Sequence, residues 1–501
     1  MCPFFTTFVL LALVAGLFYK FLVWNFGYWK KLGVKEGKSY PFVGSFPSQF
    51  TQKRHVVYDV NDLYQKYKQD ENFVGVYNAR TPQLLIVNPE YAHKIFVNDF
   101  RNFHDNEFAN FVDKNNDVIL ANNIFFLTGE EWKERRAEIT PGLTANRVSA
   151  VYPVTLKVCN TLSDYIRNQI KMASKDGLET KQLCLRYTTE VVSDCVLGIK
   201  ANSFSNNPTP IFDMTLKVFK QSTFFILYTV IANLIPQIRK IYTARFFTKD
   251  VENFFFDLMS TSIDIKRKAR DTTRLDYLNY VLQLQEKKNL TNIELISHTM
   301  TFLTDGFETT SAVLAHTLLL LAREPRTQEK LRTEIGNEEL SFEKLSELPY
   351  LDACVHEALR LFPPQLVARK LCTETYEFVN KNGNTVKVHP GEVLLVPIHA
   401  IHHDAEYYED PEEIKPERFL EENGGVKKYR EMGVYLGFGD GPRVCPGMRF
   451  ALTQMKAAIV EIVRNFNIKL NPKTRKDNYL DEIYFMAYLN GGIWLDFEER
   501  K

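Results

Sequence analysis

FGDGPRVCPG, at residues 438–447, places a single cysteine, Cys445, in a loop rich in glycine and proline. A cysteine that binds a metal needs a loop that holds its sulfur still and directs backbone N–H groups at the thiolate. Gly439 and Gly447 permit a tight turn and the close approach of a flat ligand, and Arg443 is placed to bind a carboxylate. The segment therefore predicts a metal-binding thiolate, with a buried, inert thiol as the alternative.

The whole loop fits one pattern, F-x-x-G-x-R-x-C-x-G, with every specified position matched. In this it resembles the haem-binding loop of the cytochrome P450 monooxygenases. The resemblance implies that Cys445 is the axial ligand of the iron in haem b, iron protoporphyrin IX. It also assigns to the cofactor site the loop residues Phe438, Gly439, Arg443 and Gly447.

Three further motifs of that family precede Cys445 in the family's order. Their residues are Trp132 and Arg136 of W-x-x-x-R, Glu357 and Arg360 of E-x-x-R, and Arg418 of P-E-R-F. The resemblance implies that Trp132 and Arg136 contact the haem propionates. It also implies that Glu357, Arg360 and Arg418 form a structural cluster, since E-x-x-R places two side chains on one helical face.

Residues 304–310, TDGFETT, lie in the middle of a long predicted helix and resemble the family's oxygen-activating motif, (A/G)-G-x-(D/E)-T-(T/S). Splitting dioxygen in an apolar pocket requires protons, which a hydroxyl beside a carboxylate can relay. The resemblance implies that Thr309 and Glu308 are catalytic and that Gly306 opens a groove in the helix beside the cofactor. A mid-helix threonine that bonds to its own backbone is the alternative.

One position departs from the family pattern, because Asp305 stands where Ala or Gly is usual. In the same register, a carboxylate would lie at or near the face that meets oxygen and substrate. Either it turns into a solvated network, which is the favoured interpretation, or it biases the pocket toward cationic, amine-bearing substrates.

The N-terminal segment predicts a membrane anchor. Residues 4–24 carry one charge, Lys20, and at helical rise such a stretch is about 31 Å long, enough to cross a bilayer core of about 30 Å. Basic residues follow the span and none precedes it, which places the downstream chain on the cytosolic side; a cleaved signal peptide is the alternative. The predicted organisation is an anchor and flank at 1–29, a basic and Pro/Gly hinge at 30–47, and one catalytic haem domain at 48–501.

Periodicity after the hinge predicts a fold that is mainly α with small β-sheets (α+β), the fold class of the cytochrome P450 family. Strands are predicted at 83–87 and 391–397, with a hairpin at 378–388. Helices are predicted at 160–172, 251–270, 291–323, 327–335, 350–361 and 447–465.

Composition limits the possible partners. With 62 basic and 61 acidic residues the net charge is +1, which gives no support for a nucleic-acid partner. Seven cysteines at irregular spacing predict reduced thiols rather than a disulfide framework. No G-x-G-x-x-G dinucleotide motif occurs in a strand-to-helix context, so electrons must arrive from another protein.

The resemblance to microsomal members implies an NADPH-dependent flavoprotein reductase as that electron donor, cytochrome b5 as a further candidate partner, and the endoplasmic reticulum membrane as the location. A basic docking face for the acidic partner is predicted from residues beside the Cys loop or in the Trp132 helix: Lys133, Arg135, Lys427, Lys428, Arg430 and Arg449.

The predicted function is a haem-thiolate monooxygenase, similar to insect microsomal members. It would insert one atom of O2 into a lipophilic small molecule such as a xenobiotic, plant toxin, insecticide or endogenous lipid or hormone. Alternatives are a thiolate-haem isomerase or dehydratase, a haem-binding protein without turnover, and an inactive scaffold. The apolar run 224–236 is either a membrane-dipping segment near the substrate channel or a buried helix. Candidate pocket residues by family position are Phe108, Phe111, Ile124, Phe125, Phe126, Val367 and Ala368.

Overall fold

The computed structural model of the chain describes residues 3–172, 177–218, 222–269, 275–338 and 340–500. Helices dominate these residues. The α-helices are α1 (Pro3–Leu22), α2 (Tyr28–Lys31), α3 (Ser48–Thr51), α4 (Val57–Tyr67), α5 (Pro89–His93), α6 (Val118–Ala121), α7 (Gly129–Ile139), α8 (Ala145–Met172), α9 (Thr180–Leu197), α10 (Pro210–Val218), α11 (Thr223–Leu234), α12 (Lys249–Ala269), α13 (Tyr277–Lys288), α14 (Asn292–Arg323), α15 (Pro325–Ile335), α16 (Phe342–Ser346), α17 (Pro349–Leu361), α18 (Ile398–His402), α19 (Gly425–Glu431) and α20 (Met448–Asn465).

The strands form small sheets, and the fold class predicted from the sequence is confirmed. The strands are β1 (Phe73–Asn78), β2 (Thr81–Ile86), β3 (Asp105–Asn106), β4 (Leu178–Glu179), β5 (Ala368–Leu371), β6 (Tyr376–Val379), β7 (Thr385–Val388), β8 (Val393–Val396), β9 (Phe466–Leu470) and β10 (Trp494–Glu499). Their order is β1-β2-β8-β5-β3 in a five-stranded sheet, β4-β10-β9 in a three-stranded sheet and β6-β7 in a hairpin.

The long helix α14 runs through the core. A capping box starts it, in which Thr291 Oγ1 accepts the Glu294 N–H and the Glu294 carboxylate accepts the Thr291 N–H. Its apolar residues point in all directions, as expected of a helix that is covered on every side. From residue 295 to residue 322 every residue is buried except Asp305, Gly306 and Thr309. These three form the one open strip on this stretch of α14.

The N-terminal segment joins the helical body with little free chain. Within the described residues, one helix is long and apolar enough to cross a membrane, Phe4–Val23. Soon after it, Trp29 is fully buried against β1, so that a Cβ on Gly75 would lie 2.3 Å from its side chain. The Ser45 N–H donates to the Tyr77 carbonyl at 2.8 Å. The division of the chain into anchor, hinge and domain stays a prediction, but the segment predicted as a hinge is packed against β1.

Arg80, at the turn between β1 and β2, connects two apolar helices. Its guanidinium donates to the Leu234 carbonyl at 2.6 Å and to the Phe21 carbonyl at 3.4 Å. The end of α11 therefore lies beside the end of α1. On α11, Phe225 is buried whereas Phe224 is largely exposed, so α11 is not a fully buried helix.

Candidate active site

The Cys loop is shaped by backbone geometry before α20 begins. The Cys445 N–H donates to the Phe438 carbonyl at 2.9 Å. Gly439 and Gly441 adopt the left-handed conformation, with φ of 71° and 63°. A Cβ on Gly441 would also lie 1.8 Å from the Phe96 carbonyl oxygen, so no other residue fits at this position. The loop thus fixes the position of the Cys445 sulfur.

Backbone N–H groups are directed at that sulfur, as the sequence predicted for a metal-binding thiolate. Burial raises the pKa of the Cys445 thiol to about 11, while hydrogen bonds from the Gly447 and Met448 N–H groups and the charge of Arg136 act in the opposite direction. Coordination to a metal deprotonates a thiol outright. The same N–H groups then stabilise the thiolate.

The open strip of α14 faces the Cys loop. The Asp305 carboxylate is near enough for its charge to raise the pKa of the Cys445 thiol. Thr309 lies one turn further along the strip, and its hydroxyl donates to the Asp305 carbonyl at 2.6 Å. Thr309 therefore makes the hydrogen bond to its own helix backbone that is the alternative to a catalytic role. A Cβ on Gly306 would lie 3.4 Å from Val192 of α9, so the lack of a side chain there eases the packing of α9 on α14.

Asp305 has accessible surface in the middle of a buried helix, yet burial raises the pKa of its carboxyl to about 7. Both observations hold if the carboxyl opens onto an internal space rather than bulk water. Its oxygens accept from Asn123 Nδ2 at 3.2 and 3.3 Å, and Oδ1 accepts from Thr304 Oγ1 at 3.2 Å. The sequence favoured a solvated network around this carboxylate. Among the described residues its hydrogen-bond partners are instead two protein groups, Asn123 and Thr304.

Glu308 is buried beside the strip rather than on it, about 100° around α14 from Thr309. Its Oε1 accepts the Tyr488 hydroxyl at 2.6 Å and pairs with Lys181 Nζ at 3.0 Å. The Lys181 ammonium also lies over the Tyr488 ring, 3.7 Å from its centroid. The structure thus separates the Glu308 carboxylate from the Thr309 hydroxyl, and sequence reasoning found neither Tyr488 nor Lys181.

A buried cationic cluster borders the Cys loop. Arg443 stacks on the Trp132 ring at 4.4 Å and donates to Asp105 at 3.3 Å. Its Nε has no hydrogen-bond partner among the described residues. Burial lowers the pKa of Arg443 to about 10, with the charge of Asp105 acting against this shift and the charge of Arg136 adding to it. The sequence analysis missed Lys370, which is 2% exposed and whose pKa burial and the Arg443 charge lower to about 7.

This cluster tests whether the residues fit a haem. Three basic side chains, the half-buried Arg136 and the buried Arg443 and Lys370, lie around the carboxylate of Asp105, and Arg443 keeps an unused donor. Buried charges require partners of opposite sign. An anionic group beside Cys445, such as a haem propionate, would supply them. Gly447 also fits, because its Cβ would meet no protein atom and space remains for a flat ring.

The predicted structural cluster is assembled away from the strip. Arg360 donates two hydrogen bonds to the Glu357 carboxylate, at 2.8 and 2.9 Å, and Arg418 donates to it at 3.2 Å. Glu357 and Arg360 are completely buried. Arg360 further donates to the carbonyls of His402 and Pro411 at 2.8 Å. The cluster joins α17 to the chain that leads into the Cys loop.

The predicted basic docking face needs one correction. Arg135 is buried, 3.8 Å from both Glu138 and Glu294, so it was wrong to place it on a docking face. Lys133 and Lys427 are exposed. A surface groove of about 390 Å³ adjoins the Cys loop, and its lining includes Arg136, Cys445, Arg449 and Lys456.

Known proteins resemble the chain along its whole length. A family model for cytochrome P450 matches residues 34–489. Probable cytochrome P450 28d1 of Drosophila melanogaster is 62% identical over 501 residues, covering 100% of both chains. Probable cytochrome P450 28d2 of the same species is 57% identical and also covers 100% of both, and probable cytochrome P450 28a5 is 48% identical over 98% of this chain and 99% of its own. The chain belongs to the cytochrome P450 family and is an insect-type haem-thiolate monooxygenase.

Proposed function

We propose that the protein inserts one oxygen atom of O2 into a lipophilic small molecule, a xenobiotic, plant toxin, insecticide or endogenous lipid or hormone, with electrons from NADPH delivered by a reductase. The observation that carries this proposal is the open strip of α14 facing Cys445. It leaves one face of a buried helix available to a substrate at the metal ligand. The cationic cluster beside it supports haem b as the cofactor.

Each of the site residues has a distinct role in this proposal. When bound, the haem supplies the iron at which dioxygen is activated. Cys445 holds the metal through its thiolate, and Arg136, Arg443 and Trp132, together with Lys370, hold the propionates. Thr309 presents its hydroxyl on the open strip, where it can donate a proton once its bond to the Asp305 carbonyl is exchanged.

Glu308 would resupply protons from its buried position beside the strip. Lys181 has 21% of its side chain exposed and contacts Glu308 directly, so it offers a connection between solvent and the buried carboxylate. Tyr488 holds the carboxylate by a second hydrogen bond. Proton transfer to Thr309 would then require Glu308 to rotate from these partners toward the strip.

Membrane association is part of the proposal. Helix α1 is long and apolar enough to act as a single-pass anchor in the endoplasmic reticulum, with the catalytic domain on the cytosolic side. Arg80 places α11 beside it, and α11 carries exposed apolar side chains at Phe224, Ile226 and Leu227. Such a face suits contact with the bilayer, from which lipophilic substrates would enter.

The reductase would dock at the groove beside the Cys loop, where the exposed Arg449 suits an acidic partner. Cytochrome b5 would use the same charge pattern.

The decisive experiment supplies the purified protein with NADPH, reductase and 18O2 and screens lipophilic compounds. One labelled oxygen atom in the product, with NADPH consumption that depends on substrate, is the expected result. Product formed from a peroxide without NADPH or O2 would instead favour the isomerase or dehydratase alternative, and haem binding without any turnover would favour a carrier.

Replacing Tyr488 by phenylalanine tests the proton route. A hydrogen bond to a charged group contributes about 1.5–3 kcal/mol, so its loss should lower the share of NADPH electrons recovered in product several-fold and increase peroxide release. Because Tyr488 is a positioning residue, the solvent deuterium isotope effect on turnover should also change. Tyr484→Phe is the matched control, since its ring also lies over Lys181. An unchanged isotope effect in Tyr488→Phe would contradict the route.

A further inference from the structure

Asp305 is a carboxylate without a cationic partner. Its pKa is affected by burial and by the neutral donors Asn123 and Thr304. Among the described residues, the partners of its oxygens are Asn123 and Thr304, and no Lys, Arg or His is among the groups that shift its pKa. A carboxylate has about four acceptor positions, and these neutral donors use only part of them.

The location of Asp305 on α14 indicates where a further partner of its carboxylate would lie. Its neighbours Leu303, Thr304 and Phe307 are buried, whereas Asp305 itself is open on the strip that faces Cys445. A molecule bound between the strip and the Cys loop would therefore meet this carboxylate. In a region of low dielectric, an unpaired carboxylate attracts a cation strongly.

Aromatic rings lie close to the residue that holds Asp305. Asn123 Oδ1 accepts the Phe125 N–H at 2.8 Å. The Phe125 ring is tilted against Phe108, with centroids 5.4 Å apart, and Phe108 meets Phe485 edge to face, with centroids 5.8 Å apart. Aromatic faces favour cations that carry alkyl groups. A carboxylate with aromatic rings nearby is a combination that recognises substituted ammonium groups.

We propose that the protein binds lipophilic amines as its ligands, with the protonated nitrogen on Asp305 and the apolar part of the molecule toward the aromatic rings. This proposal rests on the proposed function, because it identifies a substrate class for the same pocket. Asn123 acts as a positioning residue that holds the carboxylate toward the strip. An amine held in this way is bound through its charge.

The test compares two ligands that differ in one atom. N,N-dimethyl-4-phenylbutylamine is a protonated amine near neutral pH, and (5-methylhexyl)benzene replaces its nitrogen by carbon. Each is titrated into the full-length haem-loaded protein, and its Kd is measured by equilibrium dialysis and by the change in the haem absorption spectrum. The wild type should bind the amine at least about tenfold more tightly. Equal Kd values for the two ligands in the wild type would overturn the proposal without any variant.

Two variants locate the preference. Asp305→Asn and Asp305→Ala should weaken amine binding at least about tenfold and change the Kd of the hydrocarbon less than about twofold. Asp117→Asn, which alters a buried carboxyl that accepts the Phe246 N–H, is the matched control and should leave the ratio of the two Kd values unchanged. Equal effects of the Asp305 variants on both ligands would overturn the assignment to Asp305.

The carbon monoxide difference spectrum of each preparation separates this inference from the proposed function. If the wild type shows thiolate-ligated haem and oxidises a neutral compound but has no amine preference, only the inference fails. If the wild type lacks thiolate-ligated haem, the proposed function fails and the amine site fails with it.

Discussion

A Cys445→Ala protein, reduced with dithionite under carbon monoxide, should lack the strongly red-shifted Soret band that the wild type is expected to show. In the haem-loaded protein the thiolate would donate electron density to the iron, which would shift the absorption band and favour cleavage of the O–O bond. Alanine leaves the loop backbone and its glycines unchanged but supplies no ligand. Reductase-dependent product formation should fall to background, because Cys445 is the only cysteine placed on the loop that faces α14.

The control for this variant is Cys354→Ala, which removes another buried thiol, on α17. It should keep the red-shifted band, since its sulfur lies outside the loop. A red-shifted band retained in Cys445→Ala would show that another residue ligates the iron. A wild-type band at the position typical of histidine ligation would have the same meaning.

The second large effect is expected from Glu357→Ala. This change leaves Arg360, which is 0% exposed, and Arg418, which is 9% exposed, in the core without their shared counter-ion. Breaking a buried ion pair by removing one partner costs about 3–5 kcal/mol, out of a typical total stability of about 5–15 kcal/mol. We expect little folded protein, or a free energy of unfolding lowered by that amount, measured by urea denaturation.

The chain offers a close control in the same cluster region. Glu417 precedes Arg418 in the turn Pro416–Phe419 but has 45% of its side chain exposed and pairs with Lys330 on the surface. Exposed pairs contribute about 0–1 kcal/mol, so Glu417→Ala should be nearly as stable as the wild type. If Glu357→Ala were equally stable, the buried cluster would not have the structural role predicted for it.

Local signals in the sequence were enough to locate several helices. Helix α14 was predicted at 291–323 and spans Asn292–Arg323, because its capping residues and apolar periodicity agree. Helix α17 likewise starts at a proline, which suits the first turn, and ends at the predicted Leu361. In both cases the deciding information lies within a few residues of the helix end.

Helix α8 shows where such local signals fail. It was predicted to start at 160 but starts at Ala145, with Pro153 inside it. Proline disfavours a helix interior, yet Val148, Val151 and Tyr152 before it are buried in the core. That burial holds the preceding turns in the helix, and it depends on partners that are distant in sequence. The end of the helix predicted at 251–270 includes residue 270, which lies outside the described residues.

The candidate site likewise has residues that local motifs predict and partners that depend on the tertiary fold. Motifs were sufficient to predict Cys445 on a glycine-rich loop and residues 304–310 in the middle of a long helix, because each motif is local and the family order is preserved. The partners of the motif residues could not be predicted, since Tyr488 and Lys181 approach Glu308 only through the tertiary fold. Lys370 did carry a signal: it occupies an inward position of β5 between two half-buried residues, and a cation facing a core requires an anion.

The short connection between α1 and the first buried residues of the body has a consequence for encounter kinetics. Helix α1 ends at Leu22, Tyr28 already donates to Glu392 at 2.7 Å, and Trp29 is buried. With α1 in a bilayer, so few intervening residues leave almost no slack, and the body can spin about the membrane normal but tilt little. The Cys445 side would then stay at one height above the lipid. A redox partner anchored in the same membrane would find it by lateral diffusion in two dimensions, and inserting a glycine–serine spacer after Leu22 would slow electron transfer without altering the site.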